Sequence, residues 1–547
     1  MKKPKSAPLF DNKDFPVSLV RMTILKGTGA DIEELKSKPI IAVASSHTEF
    51  NPGHMHLRQL AERVKEGVHA AGGIPFEFNV PAPCDGMTEG HDGMRYVLAQ
   101  RELIADTVET YVRSMLFDGM VMVSGCDKIN PGMIMAAARL DIPAIFLTGG
   151  PNAWNIRFNA RRGASVDHKD YTDLGLKLAT STCATCGACE LMGTANTWQC
   201  MAEALGLTIP GSANVPAFHA DKLYYARLSG KRIVGMIEEE LNVRKILTKK
   251  AIENALMVDL AIGGSTNTTL HLPAVAAELG IDLPLSAFND FNKKIPTLCS
   301  ISPNGPHGIV DLYMAGGIPA VMKVIAADLH LDAINVMGQP WKEVVEAAQV
   351  LDPKVIRPRE QPFLAEGGTV ALFGNLAPDG CVVKQSAVKP EMRVFTGRAH
   401  VMESESACLQ AIREGKIREE SVVVIRNEGP KGAPGMPETL AVTMAIDLAG
   451  FKRVALITDG RFSGASSGPC VGHISPETYV GGPIAVVKDG DEISIDIPNR
   501  KIELKVSDSE IKKRFVGWKP LERPVPSGYM RRYRKSVSSA AKGAILE

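Results

Sequence analysis

Three stretches of this 547-residue chain gather side chains able to hold metals or move protons. The first is Ser124-Gly125-Cys126-Asp127-Lys128-Ile129-Asn130-Pro131-Gly132. It follows a candidate strand and leads towards a helix, and ligands of open α/β sheets bind beyond the carboxyl ends of strands. A thiol, a carboxylate and an amine in succession suit a metal or an anionic substrate. The plainer alternative is a capped turn with one buried cysteine.

The second stretch is Cys183-Ala184-Thr185-Cys186-Gly187-Ala188-Cys189, with Cys200 further on. Thiols three residues apart before an expected helix over 192–205 suggest soft-metal or iron–sulfur ligation. Ferredoxin spacing does not fit, because Cys200 follows too late and lacks a proline after it. A second C-x-x-C pair for a zinc knuckle is also missing. Clustered buried thiols are the bland alternative.

The third stretch, Thr458-Asp459-Gly460-Arg461-Phe462-Ser463-Gly464, follows another candidate strand. Its Gly/Ser-rich turn could present backbone N–H groups to an anion, or be a plain tight turn. Glu428 and Glu438 lie in Gly/Pro-rich loops, where a solvated surface charge is the ordinary expectation. Gly263-Gly264-Ser265-Thr266-Asn267 could open an anion-binding helix N-terminus or form only a cap. His54 and His56 read as solvated or capping residues. Cys299, Cys381, Cys408 and Cys470 stand isolated and read as structural.

The elements that must position these residues fall into two halves. Residues 39–45 and 143–147 are short apolar runs suited to buried parallel strands, as is Gly119–Ser124. Residues 55–71 place Leu57, Leu60, Ala61, Val64 and Val68 on one helical face. A further helix is expected from about Met133. This alternation predicts a parallel-sheet α/β domain over 1–360. Prolines and charges thicken at 351–361. Beyond it, short strands at 422–425, 454–457 and 484–487 and alternating ones at 493–497 and 502–506 predict a β-rich domain over 361–547. Its strands lie close enough for a barrel or a sandwich.

Composition excludes several classes. The 62 Lys and Arg against 61 Asp and Glu leave a net charge of +1, so no basic surface for nucleic acid is expected. With 45% hydrophobic residues and 22% charged, the chain is globular rather than disordered. No apolar run approaches the roughly 18 residues that span a bilayer. The basic Met1–Lys5 is not followed by the apolar segment of about 7–15 residues that marks a secretory signal. A cytoplasmic chain is expected. Its ten cysteines are too sparse for a disulfide scaffold and should be reduced.

The motifs together resemble the dihydroxy-acid dehydratases and their superfamily with the sugar-acid dehydratases. The resemblance covers nearly the whole chain. It runs through residues 21–29 and 38–46, Asp85-Gly86, Gly90–Met94, Cys126-Asp127-Lys128 and Gly193–Thr197, then Asn375–Gly380, the Glu438 loop, Asp459–Ser463 and Gly472–Glu477.

The resemblance implies an iron–sulfur cluster (2Fe-2S or 4Fe-4S) held by Cys126 and Cys189. It also implies Mg²⁺ held by Asp85, Asp127, Glu438 and Lys128. A protonated amine cannot ligate a metal, and in the family this lysine is a carbamate. Ser463 matches the family's proton acceptor. Many members carry a third cluster cysteine where this chain has Gly53, a glycine that a subgroup shares. Cys84, directly before Asp85, is either that third thiolate or a bystander. Glu190-Leu191 stand where small residues are frequent in the family.

The activity implied is dehydration of a 2,3-dihydroxy carboxylate to a 2-keto acid, as in valine and isoleucine biosynthesis. The substrates would be 2,3-dihydroxy-3-methylbutanoate and 2,3-dihydroxy-3-methylpentanoate, and the enzyme a homodimer. A sugar-acid dehydratase with the same chemistry is the neighbouring reading. A non-catalytic iron–sulfur sensor using Cys126, Cys183, Cys186 and Cys189 is the reading from another class.

Overall fold

The computed structural model describes residues 4–153 apart from 12 and 14, residue 183, and residues 185–547 apart from 465, 467, 526 and 527. Strands β1 (Ile40–Ser45), β2 (Ile74–Asn79), β3 (Gly119–Ser124) and β4 (Ala144–Thr148) form the first sheet. They pair in parallel in the order β2-β1-β3-β4. Every residue of β1, β3 and β4 is buried, which is why these strands read as unbroken apolar runs.

Helices Leu57–Ala70 and Ala220–Glu238 pack together beside this sheet. The first buries Leu57, Leu60, Ala61, Val64 and Val68, the face that its spacing predicts. Two glycines let the backbones touch. A methyl group on Gly67 would lie 2.0 Å from the Arg227 carbonyl oxygen, and one on Gly230 would lie 2.0 Å from that of Val64.

The helix after β3 starts at Ile129, earlier than the expected Met133, and runs to Leu140. Pro131-Gly132 reads as a breaker, but Pro131 falls in the first turn, where its missing N–H costs little. Gly132 is required by proximity: a side chain there would start 2.7 Å from the Arg101 carbonyl oxygen. The helix therefore springs straight from the Cys126-Asp127-Lys128 turn, with Lys128 as its cap residue.

Strands β5 (Val370–Gly374), β6 (Ala377–Val383), β7 (Val394–Met402), β8 (Ser421–Ile425), β9 (Val454–Thr458), β10 (Cys470–Ser475), β11 (Glu492–Asp496) and β12 (Lys501–Leu504) close a barrel. Of the two β-rich forms expected, the chain takes this one. Val422, Val424, Ala455 and Ile457 fill its interior together with Ile493, Ile495, Ile502 and Leu504. The alternate residues Val423, Ile425 and Leu456 pack outward with Val442 and Ile446 of helix Leu440–Leu448. Burial on both faces explains why β8 and β9 are apolar except at Ser421 and Thr458.

The strand expected at 484–487 is instead a 3₁₀ turn, Pro483–Val486. Its apolar side chains are buried, but Pro483 lacks the N–H that a ladder needs. Among the described residues no helix is long and apolar enough to cross a membrane.

The two sheet systems meet closely. A side chain on Gly435 would strike the Arg95 carbonyl oxygen at 1.5 Å. Arg101 donates at 2.9 Å to both the Gly543 and Ala544 carbonyl oxygens, tying the carboxyl-terminal segment to helix Met94–Met115.

Candidate active site

The turn after β3 is pressed inward. A side chain on Gly125 would start 2.8 Å from the Gly53 carbonyl oxygen. The segment beyond Pro52 is pinned from its other side, because the Gly187 N–H donates to the Pro52 carbonyl at 3.0 Å. Gly53 consequently lies against Cys126: a β-carbon on it would be 2.7 Å from the Cys126 sulfur and 3.6 Å from the Gly187 carbonyl oxygen.

Lys128 is buried at the centre of three carboxylates. Its Nζ pairs with Asp85, with Glu438 at 2.8 Å and with Asp127 at 3.6 Å. Asp85 comes from the segment after β2, Asp127 and Lys128 from the turn after β3, and Glu438 from the barrel domain. The four resemblance-implied magnesium residues are thus brought together from both halves of the chain.

Burial and the Arg461 guanidinium pull the Lys128 ammonium down, but Asp127, Asp85 and Glu438 outweigh them and hold it above the ordinary lysine range. Burial opposes the charge on Glu438, yet Lys128 and Arg461 keep it below the usual carboxylate range. Asp85 is pushed the other way, chiefly by burial and then by Asp127, and one of its buried oxygens has no hydrogen-bond partner.

Among the described residues no three His, Cys, Asp or Glu side chains close on one point as metal ligands. The carboxylates close on the ammonium instead. The donor set still fits a divalent ion. Converting the ammonium to a carbamate removes two units of positive charge, and Mg²⁺ returns two, so the buried centre keeps its net charge. The unpartnered Asp85 oxygen is a free hard donor of the kind Mg²⁺ takes.

The thiols gather next to this centre. Burial pushes the Cys126 thiol well up, followed by the charges of Cys189, Asp127 and Cys84. Cys189 is exposed as a residue but its sulfur is crowded by protein, and the crowding decides its thiol, which is pushed up to about 12 by burial, then Cys84 and Asp127. Protonated soft donors crowded together fit a group that replaces their protons with iron. Cys183 is exposed and Cys186 half-buried. Cys200 does not join them: it is buried in helix Thr194–Ala204 and accepts a hydrogen bond from the Asn214 amide at 3.2 Å. Cys299, Cys381, Cys408 and Cys470 are buried in the packed cores.

Ser463 is half-buried, two residues beyond Arg461. Gly464 packs so tightly that a β-carbon would lie 2.9 Å from Gly193 Cα and 3.2 Å from the Thr194 nitrogen. The Ser463 turn therefore sits against the amino end of helix Thr194–Ala204. Lys384 lies beside it, with Nζ 3.4 Å from the Gly464 and Met192 carbonyl oxygens. Burial lowers that amine to about 8 against the pull of Asp259.

Several local expectations change. Glu428 and Glu438 are buried rather than solvated: Glu428 pairs with Arg523 at 3.4 Å, and burial first, partly offset by Arg523, pushes its carboxyl up to about 7. Asp459 is structural, accepting backbone N–H bonds from Asn427, Glu428 and Thr478. Residues 263–267 do not offer a free anion cradle. Ser265 bonds Thr194 at 3.0 Å, and Asn267 donates to Glu438 Oε1 at 2.9 Å. His54 is buried against Ser46 and His56 bonds the Gly149 carbonyl at 2.9 Å, so neither is solvated or a side-chain cap.

Three contributors are missed by sequence reasoning. Arg461, fully buried, pairs with Glu438 at 2.5 Å and donates to the Met436 carbonyl at 2.6 Å. Its place in the Asp459–Ser463 motif is the signal that could have found it. Asn267 is seen only as part of a cap. Glu89, just past Asp85, is pushed up to about 9 by burial and then by Glu438, Glu405 and Asp85, and its buried Oε2 has no partner. A lone Glu in a Gly-rich loop gives no such hint.

Fold and site define a two-part α/β-and-barrel chain that brings carboxylates, a buried lysine and neighbouring thiols together. Known proteins place that class. Residues 38–344 match the N-terminal region of the dihydroxy-acid/6-phosphogluconate dehydratases and residues 354–544 match their C-terminal region. The dihydroxy-acid dehydratase of Acetivibrio thermocellus is 49% identical over 540 residues, 96% of this chain and 97% of that protein. Those of Thermodesulfovibrio yellowstonii and Methanococcoides burtonii are 48% and 49% identical, again over 96% of this chain and 97% of each relative. The chain belongs to the dihydroxy-acid/6-phosphogluconate dehydratase family, and it is an enzyme of the hydro-lyase kind.

Proposed function

We propose that this chain removes water from 2,3-dihydroxy-3-methylbutanoate and 2,3-dihydroxy-3-methylpentanoate, giving the 2-keto acids of valine and isoleucine biosynthesis. The observation that carries the reading is the buried Lys128 held by Asp85, Asp127 and Glu438 beside the Cys126 and Cys189 thiols. Asp85, Asp127, Glu438 and Lys128 as its carbamate would hold Mg²⁺, and Cys126 and Cys189 an iron–sulfur cluster. When bound, these groups supply charge stabilisation for an enolate and a Lewis acid for the C3 hydroxyl.

The chain's own residues handle the proton. Ser463 takes the C2 proton, which requires its hydroxyl to be deprotonated far below its ordinary pKa. Arg461 lies two residues before it and the Lys384 amine lies 3.4 Å from the carbonyl oxygen of the next residue, Gly464, and both cations raise the local potential that favours an alkoxide. Burial of Lys128, Asp85, Glu438 and Arg461 limits the water that reaches the enol before it tautomerises at C3. The ten free thiols support a reducing, cytoplasmic setting. Val17, Val20 and Ile24 expose one apolar stripe of helix Val17–Gly27, in keeping with a homodimer.

The test is product formation by protein purified without oxygen, reconstituted with iron and sulfide and supplied with Mg²⁺. The expected result is 2-keto acid from both branched dihydroxy acids at rates at least tenfold above those on C5 and C6 aldonates. Turnover confined to the aldonates would reverse the substrate assignment.

A further inference from the structure

Cys126 and the strip that carries Cys189 come from different parts of the chain and meet at Gly53. A β-carbon there would lie 2.7 Å from the Cys126 sulfur and 3.6 Å from the Gly187 carbonyl oxygen. Something must fix the strip in that place. Cys126 follows β3, whose last residue Ser124 pairs with Thr148 at the end of β4. The Gly149 N–H donates to the Ser124 carbonyl at 2.7 Å, carrying the contact one residue further. The next N–H, that of Gly150, leaves the sheet and donates to Gln199 Oε1 at 2.6 Å.

From there two buried amides run to Cys189. Gln199 Nε2 donates to Asn196 Oδ1 at 2.9 Å, and Asn196 Nδ2 donates to the carbonyl oxygens of Leu191, at 2.9 Å, and of Cys189 itself. Both side chains are fully buried on helix Thr194–Ala204, three positions apart and so on one face. The polarity of the line is forced. A backbone N–H only donates and a carbonyl only accepts, so each amide has one orientation that satisfies all its partners. The other carbonyls of the strip are taken as well: Ala188 by the Asn152 N–H at 2.9 Å, Glu190 by the Ile309 N–H at 3.2 Å, and Met192 by Lys384 at 3.4 Å.

We propose that Gln199 and Asn196 are positioning residues that set the place of Cys189 relative to Cys126. This rests on the reading of both cysteines as cluster ligands. The relay ties the Cys189 backbone to the strand ends from which Cys126 springs, so the two thiols are held in register to receive one cluster. Neither amide acts on substrate; both act through the Cys189 carbonyl. Breaking one link leaves a buried donor or acceptor without a partner, a cost that the strip relieves by shifting.

The full-length chain and its Asn196→Asp, Gln199→Glu, Asn292→Asp and Cys189→Ala variants are to be reconstituted with iron and sulfide without oxygen. The readouts are iron and sulfide per chain, visible circular dichroism, the rate of iron loss to a chelator, and melting temperature. The two relay substitutions keep the side-chain size and replace an NH₂ donor by oxygen, so they test the bonds rather than the volume. Asn292→Asp is the structural control. That buried amide also joins two carbonyls two residues apart, Gly367 at 2.8 Å and Thr369 at 2.7 Å, and its other partners are Gln385 and Arg500 rather than the Cys189 strip. The expected result is altered circular dichroism in both relay variants and iron loss about 10–100-fold faster, the usual weakening when an orienting partner of a metal ligand is lost. Asn292→Asp should lower the melting temperature and keep the wild-type chelator rate. Wild-type spectrum and chelator rate in both relay variants, equal acceleration in Asn292→Asp, or failure of both relay variants to fold would each overturn the positioning role alone. A wild-type chain that takes up no cluster, or a Cys189→Ala chain that keeps an unaltered one, would overturn the parent reading and this role with it.

Discussion

Lys128 and Arg461 donate to the same oxygen: Oε1 of Glu438 lies 2.8 Å from the Lys128 amine and 2.5 Å from the Arg461 guanidinium. Two buried cations on one carboxylate oxygen repel each other. Turning the amine into a carbamate removes that repulsion and leaves Arg461 to hold Glu438.

The proposed carbamate on Lys128 can be read directly. Protein incubated with ¹³C-bicarbonate and Mg²⁺ should show a carbamate carbon signal that is absent in Lys128→Arg. That variant keeps a cation but cannot carry the group, and its turnover should fall at least 1,000-fold. An equal signal in both proteins would contradict the modification.

Arg461 should act through Glu438. In the unmodified, metal-free protein Arg461→Met leaves Glu438 with Lys128 and Asn267 and strands no second charge, so the cost should fall at or below the low end of about 3–5 kcal/mol for a broken buried pair. Loss of an orienting partner typically weakens a metal site by about 10–100-fold. The concentration of Mg²⁺ giving half-maximal activity should rise by that factor. Unchanged Mg²⁺ dependence would sink the role.

Acid sensitivity should trace in part to His54. Burial lowers it to about 4 from 6.5, against the opposing bond to the Ser46 carbonyl. Below pH 6.5 the unfolded chain binds a proton that the folded chain refuses until about 4. Stability is therefore intact above 6.5 and is lost as pH falls towards 4, by about 3 kcal/mol. Urea unfolding at pH 7.5 and 5 should show His54→Gln losing less stability over that interval than the wild type.

The helix pair beside the first sheet offers a structural check. Gly67→Ala places a methyl 2.0 Å from a carbonyl oxygen on the partner helix, with backbone on both sides. Such overpacking should cost about 1–3 kcal/mol or more, read as a lowered melting temperature. Gly72→Ala is not the matching control, since Gly72 sits at φ +86°; Gly27→Ala, with nothing within 4 Å, is.

What the sequence reveals of all this depends on range. The strand β3 and its Cys126-Asp127-Lys128 turn are legible because an apolar run and its terminating residues are neighbours. The barrel strands β11 and β12 are legible from strict alternation. Glu438 is not, since its Gly/Pro surroundings signal a surface loop and the partner that buries it, Lys128, lies 310 positions away. Residues 484–487 mislead because apolarity reports burial, whereas Pro483 decides the backbone. Cys189 stands out within its C-x-x-C run, but that Asp85 pairs with Lys128, 43 positions away, is visible only in the folded chain.

The central claim is that Ser463 removes the C2 proton in a centre otherwise left whole. The most direct measurement is the turnover of reconstituted Ser463→Ala on 2,3-dihydroxy-3-methylbutanoate, with iron, sulfide and Mg²⁺ content measured on the same sample. The account predicts wild-type metal content and a rate lowered by about 100–10,000-fold, the range for loss of a general base. A fully loaded Ser463→Ala enzyme working within threefold of the wild type would contradict it.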